Sequence, residues 1–354
     1  MKKILPALLL LFLPTACRKE TDRHLIPPKA EVLVRTTPVK DQGTGDFCWA
    51  YAMLATIESE HLMMGDSVNL SPQFLARHYL EEQAGKAYLL QASNAANGQQ
   101  EITTRGMAGT TLQLLQRYGM THWDAYHPEV NLNVLARKVE KLVKTQKGRG
   151  LSRMQESLNR LMDESVRPVP RYVFMLGAEY TAQEFARSVC QPDEYVALTS
   201  FAHHPYGTRF ALEVPDNVHH ETFLNLPPDT LMMHIDRALS SGHPVCWEGD
   251  ITEPGFNWEQ GYARLDDSKE QSTAHGQNLT RNRQQDFERG KTTDDHCMEL
   301  IGIARTPKGR KYYIAKNSWG TQNAYHGLMY LSDNYIRLKT IAVWMSQNAY
   351  AATK

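Results

Sequence analysis

The chain has 354 residues, with 39 Lys plus Arg against 39 Asp plus Glu, and so carries no formal net charge. That length suits one large domain of two lobes or two small domains, and the balanced charge excludes whole-surface attraction to nucleic acid or an anionic surface. Partners have to be argued from a site.

At the start, Lys2 and Lys3 precede an apolar run from Ile4 to Leu13, closed by Pro14, Thr15, Ala16 and Cys17. The run is too short to span a bilayer, and small residues before a cysteine resemble a bacterial lipoprotein cleavage box. Residues 1–16 then read as a signal peptide, Cys17 as a lipidated N-terminus and residues 17–30 as a tether; the alternative is an ordinary cleaved signal with an incidental cysteine. The expectation is a lipid-anchored, extracytoplasmic protein of the cell envelope, on its periplasmic or outer-membrane face. Apart from Cys17 and Cys48, three cysteines remain, Cys190, Cys246 and Cys297. An odd remainder argues against a disulfide framework and for buried small hydrophobes.

Beyond the tether, Cys48 to Met64 combines good helix formers with apolar residues at helical spacing and Gly65 as a stop, which predicts a long, mostly buried helix. Ser71 as cap and Pro72 at the first helical position announce a second helix, and Thr110 to Arg117 reads as a third. Leu132 to Val143 and Leu151 to Met162 repeat the same apolar offsets on either side of the loop Lys147 to Gly150, predicting an inserted helical hairpin. From about Arg171 the pattern turns to short β-rich runs: YVALTSFA, TRFALEV, PVCWEGDI, HCMELIGIA, KYYIAKNSW and GLMYLSD. The polar stretch from Phe256 to Asp295 has little periodicity and predicts a surface loop. Helices first and strands later imply an α+β protein, one domain over residues 31–354 with a helical lobe at about 40–185 and an antiparallel β lobe at about 186–345.

The loop from Asp41 to Phe47 delivers Cys48 to the start of the first long helix. A free cysteine has a pKa of about 8.5, which a helix N-terminus plus an imidazolium lowers to roughly 3.5 to 7.5. Cys48 is therefore the candidate nucleophile, with its own amide and the Gln42 side chain as candidate oxyanion donors. His296 opens an apolar strand as candidate base. Asn317, at the end of the next strand, can orient that base if the two strands are antiparallel neighbours, and Trp319 can cover their bond.

These residues resemble the papain superfamily, whose pattern runs Gln, then the nucleophilic Cys followed by Trp, then His, then Asn-Ser-Trp-Gly. Gln42, Cys48-Trp49, His296 and Asn317-Ser318-Trp319-Gly320 stand here in that order, with the family's Gln-to-Cys spacing. The resemblance implies a papain-like two-lobed fold, the roles of oxyanion donor, nucleophile, base and orienter for Gln42, Cys48, His296 and Asn317, cleft support from Trp49 and Trp319, and no cofactor. Gly45 stands where secreted papain-like enzymes carry a disulfide cysteine. The long separation between Cys48 and His296 resembles the bleomycin hydrolase and aminopeptidase C branch, as do YTAQEF at Tyr180, HHPYGTRFALEV at His203 and PVCWEGDI at Pro244. The resemblance covers about residues 31–345.

The implied activity is hydrolysis of a peptide or protein substrate by acyl transfer. A non-enzymatic peptide-binding lipoprotein is disfavoured because all four motif positions are intact. Transglutaminase-like transfer to an amine is disfavoured because Asn317 stands where those enzymes use an acidic orienter. Asp295 reads as a solvated turn residue. The pairs His203-His204 and His219-His220 invite a metal reading, set aside because neighbours on a strand point to opposite faces and no HExxH or CxxC accompanies them. In the aminopeptidases of this branch a C-terminal arm enters the cleft; Ser346 to Lys354, at about 3.3 Å per extended residue, reaches at most ~30 Å and reads as a truncated arm. Cleavage internally or near the N-terminus is expected, with single-residue aminopeptidase action as the alternative and oligomeric state left open.

Overall fold

The computed structural model describes residues 27–93, 101–175, 177–265 and 277–351. The signal segment, Cys17 and most of the tether lie outside the described residues, as do residues 352–354 of the tail.

The described chain opens on β1 (Lys29–Leu33) and reaches α1 (Cys48–Met64), the bounds the sequence predicts. From Cys48 to His61 every residue of α1 is buried, because the helix is covered by other helices on one side and by the sheet on the other. Its interior charges are paired: Glu58 takes the Lys40 ammonium at 2.5 Å and the Leu70 amide at 2.6 Å, and Glu60 meets His243, before β7, at 2.9 Å. Next come α2 (Pro72–Ala92), capped by Ser71 Oγ on the Phe74 amide, and α3 (Ala108–Tyr118). The predicted hairpin forms as α4 (Leu132–Thr145) and α5 (Leu151–Val166). Its stripes, Leu135, Val139 and Val143 with Met154, Leu158 and Met162, close into the core that holds α1, so the insertion packs on the helical lobe.

A small hairpin of β2 (Val173–Met175) and β3 (Ala178–Tyr180) leads to α6 (Ala182–Val189), whose capping box joins Thr181 and Glu184. Then follow β4 (Tyr195–Thr199), β5 (Arg209–Ala211), β6 (Thr222–Asn225), α7 (Pro228–Ser240) and β7 (Val245–Gly249). Helix α7 covers one face of the sheet with Leu231, Ile235 and Leu239. The stretch read as a structureless loop instead contains β8 (Phe256–Asn257), β9 (Tyr262–Ala263) and α8 (Gln277–Glu288). Helix α8 escaped the periodicity reading because its anchor is polar. Arg283 is buried and donates to the carbonyls of Ser200, Arg337 and Thr340, with Leu279 as its one fully buried apolar contact. The chain finishes through β10 (His296–Arg305), β11 (Lys311–Lys316), β12 (Leu328–Ser332), α9 (Asp333–Lys339), β13 (Thr340–Ser346) and α10 (Gln347–Ala351). Residues 347–351, expected as extended tail, thus wind into a helix against α7 and β4.

Apart from the β2–β3 hairpin, the described strands join one large sheet in the order β5-β6-β4-β13-β7-β10-β11-β12-β9-β8, with β1 also on β10. The sheet is not wholly antiparallel as expected: β6 enters between β5 and β4 and runs parallel to β4, and β9 runs parallel to β12. Strand β10 organises the whole. Its first half pairs with β7 and its second with β1 along one edge, while β11 lines the other.

Candidate active site

The loop before α1 is held by the segment after β11. Gln42 donates its amide to the Ser318 carbonyl at 2.8 Å, and Asp41 bridges to Trp319. Gly43 turns the chain at φ 66°, and its amide bonds Asp41 Oδ1. Gly320 does so at φ 70°, where a Cβ would press to 3.2 Å from Asp41 Oδ2. These contacts carry Cys48 to the first turn of α1, where the unpaired amides and helix dipole favour negative charge. Trp49 turns away from the cleft, donating Nε1–H to the Thr104 carbonyl and packing between Phe47 and Tyr79. It fixes the orientation of the helix start rather than lining the site.

From the sheet side, His296 and Asn317 lie just beyond the paired stretch of β10 and β11, where Glu299 faces Lys316. His296 Nε2–H donates to Asn317 Oδ1 at 2.7 Å, which leaves Nδ1 for Cys48. Continuing the same register brings Trp319 opposite His296, and the rings meet at 4.7 Å. Trp319 is backed by Trp258 and Phe256. Cys48, His296 and Asn317 are all buried. The Gln42 side chain donates to the Gly45 carbonyl at 2.6 Å and accepts from Ser318 Oγ, so one amide N–H is free for an incoming oxygen.

The electrostatics favour an ion pair. A hydrogen bond from the Cys297 thiol holds Cys48 well below the ordinary thiol range; burial opposes it, and the charge and hydrogen bond of His296 add to it. For His296, burial pulls the imidazolium pKa down, but the Cys48 charge and the bonds to Cys48 and Asn317 outweigh it, and the net shift is upward.

Five residues that sequence reasoning left aside complete the surroundings. Cys297, next to the base and read only as a buried small hydrophobe, contacts Cys48 and lies 3.4 Å from Glu248 Oε2, its partner across β7. Burial and then the Asp294 charge push Glu248 well above the carboxylate range. Asp216 is pushed up to about 6 by burial and then by Asp294, although Arg105 Nε meets its oxygens at 3.0 and 3.1 Å. Adjacency of Cys297 to His296 was a usable signal; nothing local marks Asp216 or Arg105, which are distant in the chain. Asp295 is exposed and bonded by Thr293, as a turn residue would be.

The argument used against His203-His204 needs correction. The pair sits in a turn between β4 and β5, not on a strand, and both rings converge on Glu213.

A solved structure of PepW from Lactobacillus rhamnosus HN001 superposes with a TM-score of 0.65 at 18% identity, over 92% of this chain and 84% of that one. Aminopeptidase G of Lactobacillus delbrueckii subsp. lactis is 26% identical over 148 residues, 41% of this chain and 33% of its own length. The alignment therefore spans about a third of that curated relative. Fold and residue set together define a papain-like protein of the cysteine peptidase class. Residues 174–351 match the model of the Peptidase C1-like family, and the chain belongs to that family. The matched span contains His296 and Asn317 but not Cys48 or Gln42.

Proposed function

We propose that this protein hydrolyses peptide bonds by acyl transfer, with Cys48 as nucleophile, His296 as base and acid, Asn317 as orienter, and Gln42 with the Cys48 amide as oxyanion donors. The observation that carries the reading is the chain of contacts from Asn317 Oδ1 through the His296 ring to Cys48 at a helix N-terminus. The thiolate attacks the scissile carbonyl, and His296 gives its Nδ1 proton to the leaving amine. Water then opens the thioester with His296 as base. Asn317 and Trp319 keep the ring turned toward the sulfur throughout.

For the cleavage position, removal of residues from a free N-terminus is favoured. Asp216 lies within electrostatic reach of Cys48, Asp294 accepts from the Asp216 backbone amide beside it, and a substrate ammonium is the complementary charge to these carboxylates. The aligned relative is named aminopeptidase G. Internal cleavage is the second reading, favoured by the course of residues 347–351. Thr340, Gly249 and His296 lie in one row across the sheet, and β13 carries the chain along from that row before α10 packs on β4. An amino-acid fluorogenic amide is compared with an N-blocked peptide amide; turnover of the free-amine substrate alone supports aminopeptidase action, and turnover of the blocked one overturns it.

We also propose that Cys17 is lipidated and holds the protein at the cell envelope, a reading supported by the run Ile4 to Leu13 and the small residues before Cys17. Among the described residues no helix is long and apolar enough to cross a membrane. Expressed in a bacterium that processes lipoproteins and fed an alkyne fatty acid, the native chain should be labelled and sediment with membranes, and Cys17→Ser should be neither. An unlabelled, soluble native chain overturns the anchor.

A further inference from the structure

Away from the cleft, the turn between β4 and β5 brings two imidazoles onto one carboxylate. His203 Nε2 lies 3.1 Å from Glu213 Oε2, and His204 Nε2 lies 2.7 Å from Glu213 Oε1. The donor atoms of all three residues fall within 4.8 Å of one another. The rings are held from outside: His204 stacks on Phe210 at 4.0 Å, and His203 stacks on Phe287 of α8 at 5.8 Å. Gln284 places its amide nitrogen 2.9 Å and its amide oxygen 3.3 Å from His203 Nδ1, and that oxygen is itself pinned by the Ala202 amide at 2.6 Å.

We propose that His203, His204 and Glu213 form a binding site for a divalent transition-metal ion of the zinc class, with water in the fourth position. Two imidazoles and one carboxylate with an open position is a donor set that zinc takes tetrahedrally, at bond lengths of about 2.0 to 2.2 Å. Such bonds set donor atoms roughly 3.3 Å apart. The two His-to-Glu separations are near that scale but run to different oxygens of Glu213, so the imidazole nitrogens must draw together and share one oxygen, an adjustment within the 4.8 Å that already spans the three donor atoms. Both histidines bind as neutral rings through Nε2, with the proton on Nδ1. At His203 that Nδ1–H donates to the Gln284 oxygen, an outer contact that orients the ligand. Side-chain exposures of 27% for His203, 33% for His204 and 53% for Glu213 leave the ion a path from solvent. The ion would fasten the β4–β5 turn to the chain three residues before Asp216. It stands outside the hydrolytic step and stabilises the fold.

The test uses the full-length protein carrying Cys48→Ser, because a thiolate beside an imidazole binds zinc on its own. Titration with zinc against a chromophoric chelator, and with cobalt(II) read by its visible absorption, should show one saturable tetrahedral site. Zinc should also raise the thermal midpoint, and EDTA should reverse that rise. His203→Ala and Glu213→Gln should abolish the site. Gln284→Ala should weaken it by about 10- to 100-fold, and His219→Ala should leave it unchanged. With Cys48 restored and excess chelator present, His203→Ala should turn over substrate as the native enzyme does. Absence of saturable binding in the Cys48→Ser protein overturns the site, as does binding that persists undiminished in Glu213→Gln.

Discussion

His296 Nε2 and Asn317 Oδ1 are 2.7 Å apart although both residues lie beyond the paired stretch of β10 on β11. The antiparallel register of β10 on β11 aims both at one point, and the Asn317 amide, bonded to the Gly327 carbonyl, carries the β11–β12 register one residue past Lys316 and so holds Asn317 in place. The hydrogen bond is thus a product of where the ladder ends.

In the proposed mechanism thiolate and imidazolium act as one unit, so Cys48→Ser and His296→Ala should each lower kcat/KM by at least about a thousandfold with unchanged circular dichroism. Near-native turnover by Cys48→Ser would remove it as nucleophile.

Asn317→Ala removes one hydrogen bond to a charged ring, worth about 1.5 to 3 kcal/mol, so the loss in kcat/KM should be roughly 10- to 150-fold, smaller than for His296→Ala. Asn317→Gln, which keeps the amide, should recover part of it. Equal losses for Asn317→Ala and His296→Ala would mean that Asn317 does more than orient the base.

The pH dependence of alkylation reports the Cys48 thiolate. Its pKa lies below the ordinary thiol value of about 8.5, so inactivation by iodoacetamide should stay fast at pH values where a free cysteine is protonated. Cys297→Ala removes the donor to the sulfur and should move the midpoint up, and His296→Ala should do the same by removing the positive charge. An unmoved midpoint in Cys297→Ala would show that its thiol does not bear on Cys48.

Asp216 gives a stability signature of definite sign. Its folded pKa of about 6 lies above the usual 3.9, so the native state holds the extra proton between those values. Its contribution therefore declines as pH rises from about 4 to about 6 and is constant above. Denaturant unfolding across that range should show this decline in the native protein and a shallower one in Asp216→Asn. Identical slopes would place the titration elsewhere.

Much of the site was readable in the linear chain because its signals are local. A cysteine at a helix start after a glycine loop, and an Asn-Ser-Trp-Gly run after a strand, are short patterns with their own physical reasons. The helices α4 and α5 were readable for the same reason, since one apolar stripe per helix announces burial, and α1, buried on all sides, was readable from its helix formers and the Gly65 stop. Helix α8 was not, because its hold on the fold is Arg283 reaching three carbonyls contributed by distant segments. Nor was the convergence of His203 and His204, since that depends on a turn and not on residue identity.

The sequence by itself thus determined which residues could do the chemistry, their order along the chain and the elements that carry them, because helix starts, turns and strand ends are written in near neighbours. Only the tertiary structure decided which side chains share a field. The Cys297 thiol beside Cys48, the Asp216–Asp294 contact and the Glu213 carboxylate between two histidines arise from sheet order and loop packing. Electrostatic coupling falls with distance through space, and distance along the chain says nothing about it.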